Sequence, residues 1–205
     1  MNEFDRKARE WDKNPQRKLM ARTVAENIRN RIPLSHHMRS FEYGCGTGLL
    51  SFALQPFLGY MLLADSSGEM ISVTREKITR RGLKNMKAVR TDLTLNSPPD
   101  DTFDLIYSQM TLHHVPDIPQ ILSVFSGMFR KPGYLCIADL DSEDGSFHGE
   151  GFRGHNGFDR RELSRMAETA GFSDIKVSTV FQMSRESEDG EVREYPVFLL
   201  TAVYR

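Results

Sequence analysis

An α/β fold with a largely parallel sheet is predicted by three features of the sequence. Short apolar runs alternate with helical stretches from Phe41 onward, a glycine-rich turn follows the first run directly, and acidic residues stand at the ends of successive runs. Strand and helix alternating in this way require crossover connections, so the strands should lie parallel with helices on both faces.

The N-terminal section is helical. Phe4, Ala8 and Trp11 recur at helical spacing, and a second stripe runs through Met20, Val24 and Ile28, with Arg and Lys on the other faces. Pro33 ends this section, which sets residues 1–32 apart from a main unit at 33–205. Strands are then predicted at 39–43, 60–64, 86–91, 103–108 and 134–139, with helices between them. Residues 140–158 are rich in Gly, Asp, Glu and His without periodicity and read as a long loop. Asp159 followed by Glu162 reads as a helix N-cap with its reciprocal partner, and Gly171 as the close of that helix. Alternation at Ile175, Val177 and Thr179 gives a strand, 185–194 a solvated turn, and 197–204 a final strand. No room remains for a crossover helix between these two, so they should pair antiparallel.

Composition narrows the class. A chain of 205 residues, 39% hydrophobic, has enough material for one domain and buries roughly 70% of its unfolded surface. Its formal charge of -1 argues against a surface-wide footprint for nucleic acid or anionic lipid. Residues 1–31 carry nine Lys/Arg against five Asp/Glu, and charges spread around two amphipathic helices form a solvated face. Cys45 and Cys136 cannot make a disulfide framework or a four-ligand zinc site, which suits a reducing cytoplasm. The charged N-terminus lacks the apolar core of a secretory signal, and the apolar run at 58–64 is too short to span a bilayer. The expectation is a soluble cytoplasmic protein with neither nucleic acid nor membrane as partner.

The sharpest motif is Glu42-Tyr43-Gly44-Cys45-Gly46-Thr47-Gly48, between the first strand and a helix at 49–56. Glycines there permit a tight turn and close approach of a ligand to the backbone. The spacing departs from the dinucleotide fingerprint, because Leu49 stands where its third glycine belongs, and no Gly-Lys-Ser/Thr closes a phosphate loop. Asp65 ends the second strand, 17 positions after Gly48, where a carboxylate can accept both hydroxyls of a ribose. Asp92 ends the third, where it could accept from the exocyclic amine of an adenine.

With these motifs the sequence resembles the class I S-adenosylmethionine-dependent methyltransferases, in particular the small-molecule group that includes the ubiquinone and menaquinone methyltransferases. The resemblance extends through Ala64-Asp65-Ser66-Ser67 with Met70, Asp92-Leu93, the segment 103–108, His113-His114-Val115-Pro116-Asp117 and Lys131-Pro132-Gly133. It implies a Rossmann-like, doubly wound, seven-stranded sheet of order 3-2-1-4-5-7-6 with strand 7 antiparallel, and an N-terminal helical lid. It also implies S-adenosyl-L-methionine as cofactor and S-adenosyl-L-homocysteine as product. Gly44, Cys45, Gly46, Thr47 and Gly48 would pass under the methionyl and ribose parts, with Glu42 near the methionyl amine. Asp65 and Ser66 would serve the ribose, Met70 would pack on the adenine, and Asp92 with Leu93 would hold its edge. Ser108 and Gln109 would approach the methionyl group and the reacting methyl. Phe4, Trp11 and Asp12 are similar to the family's N-terminal lid stretch.

Methyl transfer from a sulfonium is an in-line displacement, in which alignment alone supplies several kcal/mol. A side-chain base is therefore optional. His113 and His114, beside the expected site, are candidates for it. The 140–158 loop offers Asp139 at its edge, Asp141, Glu143, Asp144, His148 and His155 as rivals, with His148 and His155 also expected to meet substrate. An oxygen-rich cluster of this kind could hold a divalent cation, but turn-forming Asp and Glu are ordinary in a glycine-rich loop. No metal is expected. The acceptor is expected to be a small molecule, with RNA or protein methylation, or cofactor binding without transfer, as the alternatives.

Overall fold

The computed structural model describes residues 3–186 and 191–205. The predicted turn at 185–194 falls in part on residues outside these. The N-terminal section forms α1 (Glu3–Lys7), a 3-10 turn over Ala8–Lys13, and α2 (Pro15–Arg31). Asn14 starts α2 by accepting hydrogen bonds from the N–H groups of Gln16 and Arg17, and Pro15 fits the first turn, where its missing N–H costs nothing. Met20, Val24 and Ile28 are buried as their spacing predicts, whereas of the first stripe only Ala8 is buried. Phe4 and Trp11 stay half-exposed.

The main unit contributes β1 (Arg39–Tyr43), α3 (Leu49–Leu54), β2 (Tyr60–Asp65), α4 (Gly68–Arg80), β3 (Met86–Arg90) and β4 (Phe103–Gln109). It continues with α5 (Ile118–Gly127), β5 (Phe129–Leu140), α6 (Arg160–Thr169), β6 (Phe172–Glu186) and β7 (Val192–Tyr204). The seven strands form one sheet in the order β3-β2-β1-β4-β5-β7-β6, with β7 antiparallel to both its neighbours. Side-chain alternation feeds two cores. Leu105, Tyr107 and Leu199 join α2 and α3 on one face, while Phe41, Ile106 and Phe198 join α5 and α6 on the other. Asp159 caps α6 by accepting from the N–H groups of Arg161 and Glu162.

Three strands depart from the predicted boundaries. β5 starts at Phe129 and not at 134, so Lys131-Pro132-Gly133 lies within the strand. Its pairing with β4 jumps from Phe103↔Phe129 to Leu105↔Tyr134, so the extra residues bulge outward. Gly133 makes this fit, since a Cβ there would lie 2.3 Å from the Phe129 ring. β6 and β7 also outrun the sheet. β5 stops at Leu140, opposite Val197, while β6 and β7 continue pairing from Phe181↔Val197 to Glu186↔Val192 as a two-stranded ribbon. That ribbon carries Met183, Ser184 and Arg185 to the rim of the site described next.

Candidate active site

A cavity of about 590 Å³ lies at the carboxyl edge of the parallel strands, between the sheet, the N-terminal section and the 140–158 loop. This is where open α/β sheets bind ligands, and the volume suits a cofactor with a small second ligand.

One half is built from backbone. Gly44, Gly46 and Gly48 all have positive φ, which favours glycine at each, and at Gly44 sterics demand it as well. A Cβ at Gly44 would lie 2.1 Å from Thr111 Cγ2, and one at Gly46 would point between Trp11 and Met70. Asp65 fixes the loop by accepting from the Gly46 N–H at 2.7 Å and the Ser67 N–H at 2.8 Å. Burial still pushes its carboxyl above the usual range. Asp92 Oδ1 accepts from the Thr94 N–H and hydroxyl at 2.9 and 2.7 Å, holding the carboxylate at the cavity wall.

Glu42 lies beneath the loop, only 2% exposed. Burial pushes its pKa up to about 8, although the Ser51 hydroxyl donates to it. On the same cavity the buried Oε1 of Gln109 finds no donor among the described residues. A buried carboxyl and an orphaned carbonyl oxygen on the same cavity suit a ligand ammonium, such as the methionyl amine. Met110, just after Gln109, has φ 53, a left-handed conformation that L residues adopt at a cost and that recurs at functional sites. Cys45 is buried and its thiol pushed well above the ordinary range by desolvation, so it is inert as a nucleophile.

The other half is built from side chains of distant segments. His113 and His114 sit on a 3-10 turn (Leu112–His114), and His148 arrives from the loop. Asp139, fully buried, accepts from His113 Nδ1 at 2.6 Å and from the N–H groups of Leu112 and Leu140 at 2.9 and 2.8 Å. Burial pushes the Asp139 carboxyl up, but His113 and these N–H groups more than offset it and hold it below the usual carboxylate range. His114 and His148 are each lowered to about 4, chiefly by desolvation and then by the nearby imidazole of His113. Phe4 meets the His114 ring edge-on at 5.2 Å, and His148 stacks on Phe152 at 3.8 Å.

The N-terminal section is latched over the glycine loop. Lys77 Nζ donates to Asp12 at 2.7 Å and to the Thr47 carbonyl at 2.6 Å, and the Thr47 hydroxyl also donates to Asp12. Ser67 donates to Asp5 at 2.6 Å. Arg17 stacks on Trp11 at 3.6 Å, its guanidinium pKa lowered by burial and then by Arg185 across the cavity.

Most of the expected cofactor and lid residues line this cavity: Glu42 with the first four loop residues, Asp65, Ser66, Met70, Asp92, Gln109, Phe4 and Trp11. Gly48, Leu93 and Ser108 do not; Leu93 and Ser108 are buried behind it. His155 is also outside, its Nε2 at 3.0 Å from the Val115 carbonyl. The acidic residues of the loop do not converge. Asp141 pairs with Arg160, Glu143 accepts from the N–H groups of Gly145 and Phe147, and Asp144 from that of Ser146. Lys77, Asp12, Arg17 and Arg185 were not singled out from sequence as site residues with these roles. A lysine on the buried face of α4, one turn after Thr74, is the signal that could have revealed the latch.

The family described as methyltransferase domain matches residues 34–172. An uncharacterized methyltransferase of Schizosaccharomyces pombe is 26% identical over 68% of this chain and 55% of its own. A ubiquinone biosynthesis O-methyltransferase of Xylella fastidiosa is 31% identical over 64% of this chain and 54% of its own. The chain thus spans about half the length of these curated relatives. Among solved structures, a SAM-dependent methyltransferase from Aquifex aeolicus superposes with a TM-score of 0.71 over 98% of both chains at 21% identity.

Proposed function

The chain belongs to the methyltransferase domain family, and we propose that it transfers the methyl group of S-adenosylmethionine to a small-molecule acceptor held in the histidine-lined half of the cavity. The protein is a methyltransferase and S-adenosylmethionine is its cofactor. The observation that carries the acceptor reading is one cavity with two differently built halves under a latched N-terminal section, which leaves a small enclosed space beside the cofactor. The adenosine would lie along 44–48, with Asp65 facing the ribose hydroxyls, Asp92 the adenine amine, and Met70 the ring. Glu42 and Gln109 would hold the methionyl ammonium.

Exclusion of water by Phe4, Trp11 and the 140–158 loop suits a reaction in which water would compete for the methyl. The chain's residues align the acceptor atom opposite the departing sulfur, and His113 or His114 contacts it. Arg17 and Arg185, which share the rim without a carboxylate partner among the described residues, favour an acceptor carrying an anionic group. Incubation with methyl-labelled cofactor and a cell extract separated into metabolite, protein and RNA fractions tests this. Label is expected in the metabolite fraction, and label confined to protein or RNA would overturn the acceptor class.

A further inference from the structure

We propose that His113, His114 and His148 form a three-nitrogen site for a divalent transition-metal ion of the zinc type, open on its fourth side to the acceptor half of the cavity.

One ring nitrogen from each of the three lies within 4.8 Å of those from the other two. Nitrogen ligands at about 2.0–2.1 Å from a tetrahedral zinc stand roughly 3.4 Å apart, so modest ring rotations close the set. Two independent observations mark these imidazoles as ligands in waiting. His113 gives its Nδ1 to the fully buried Asp139 at 2.6 Å, which fixes the tautomer and leaves Nε2 for another partner, as outer carboxylates do for metal-bound histidines. His148 Nε2 is buried without a hydrogen-bond partner. No carbonyl, carboxylate or hydroxyl of the described residues satisfies that atom.

The ligand chemistry selects the ion. Three imidazoles suit zinc, cobalt, nickel or copper and lack the oxygen ligands that magnesium and calcium require. The acidic residues of the same loop point apart, Asp141 to Arg160 and Asp144 and one oxygen of Glu143 to backbone N–H groups, and no hard-ion cluster assembles among the described residues. Asp139 supplies one negative charge behind the site. All three histidines face the cavity, so a bound ion would have room for an acceptor oxygen, nitrogen or sulfur as fourth ligand. That use of the ion rests on the methyltransferase reading; the binding of the ion does not.

The full chain, made without a histidine tag and stripped with chelator, is titrated with Zn²⁺ and, for spectroscopy, Co²⁺. One ion per chain is expected, with the intense visible bands of four-coordinate Co²⁺. His148→Ala and His114→Ala should each weaken Zn²⁺ binding by at least about 100-fold, while the double variant His36→Ala/His37→Ala, away from the site, binds as the wild type does. His148→Gln, with melting curves in the absence of metal, separates loss of the ligand from loss of the fold. Absence of a stoichiometric site in the wild type, or Zn²⁺ affinity unchanged in a folded His148 variant, overturns the proposal. S-adenosylhomocysteine binding by the stripped protein is measured in parallel. If product binds and metal does not, this inference fails alone; if metal binds and product does not, the methyltransferase reading fails alone.

Discussion

The two halves of the cavity are made of different materials. The cofactor half is backbone: glycines in left-handed conformations, strand-end carboxylates that accept from loop N–H groups, and a strained Met110. The acceptor half is side chains, with two histidines from one 3-10 turn, a third from a long loop, a phenylalanine from the N-terminus and arginines from α2 and β6. A backbone site is rigid and tolerates few residue types. A side-chain site can be rebuilt residue by residue, which lets one cofactor cradle serve many acceptors.

The largest expected effect lies in the backbone half. Gly44→Val introduces a Cβ on Thr111 and branches at a positive φ, and should abolish detectable cofactor binding in calorimetry. Asp65→Ala removes the acceptor for two loop N–H groups and the group facing the ribose, and should weaken binding by about 100-fold, or roughly 3 kcal/mol. Equal binding by either variant would separate the glycine loop from the cofactor.

In the acceptor half the largest effect is on stability. Asp139→Asn leaves the buried His113 pair and three backbone donors to a neutral amide and should lower stability by about 3 kcal/mol in denaturant unfolding. Cofactor affinity should change far less, because Asp139 lies behind the histidines.

A third effect is one of pH. The Glu42 carboxyl has a folded pKa of about 8 against 4.5 as its ordinary value, so the folded chain holds this proton more tightly than the unfolded one. Its contribution to stability is complete below about pH 4.5 and is lost as pH rises toward 8. The ligand-free protein should therefore melt at lower temperature at pH 8 than at pH 5, by roughly 5 °C from this group, and Glu42→Gln should flatten that slope. An unchanged slope would remove Glu42 as its source.

Much of the cofactor half was legible in the sequence because its parts are local. Gly44, Gly46 and Gly48 are consecutive alternate residues, and Asp65 and Asp92 end strands whose apolar runs are plain. The acceptor half depends on contacts that no spacing reveals. His148 lies 34 positions from His114 in a loop without periodicity, yet their ring centroids are 5.3 Å apart. His155, from the same loop, meets the Val115 carbonyl instead. The fold follows the same division. The sheet order and the antiparallel β7 agree with the expectation, whereas the bulge that pulls Lys131-Pro132-Gly133 into β5 depends on Phe129 packing over Gly133, a tertiary effect.

The smallest expected effect concerns the latch that holds the N-terminal section over the glycine loop. Asp12→Ala frees Lys77 and Thr47 and should raise the acceptor KM by about 10-fold with little change in kcat, since it loosens enclosure and not alignment. A loss confined to kcat would place Asp12 in the chemistry instead.

The central claim is that one cavity holds the cofactor on glycine-loop backbone and points its sulfur at the histidines. A crystal structure with S-adenosylhomocysteine tests it directly. The account predicts adenosine along 44–48 with its ribose on Asp65, and the sulfur facing His113, His114 and His148. A product molecule bound elsewhere, or one whose sulfur faces away from the three histidines, would contradict it.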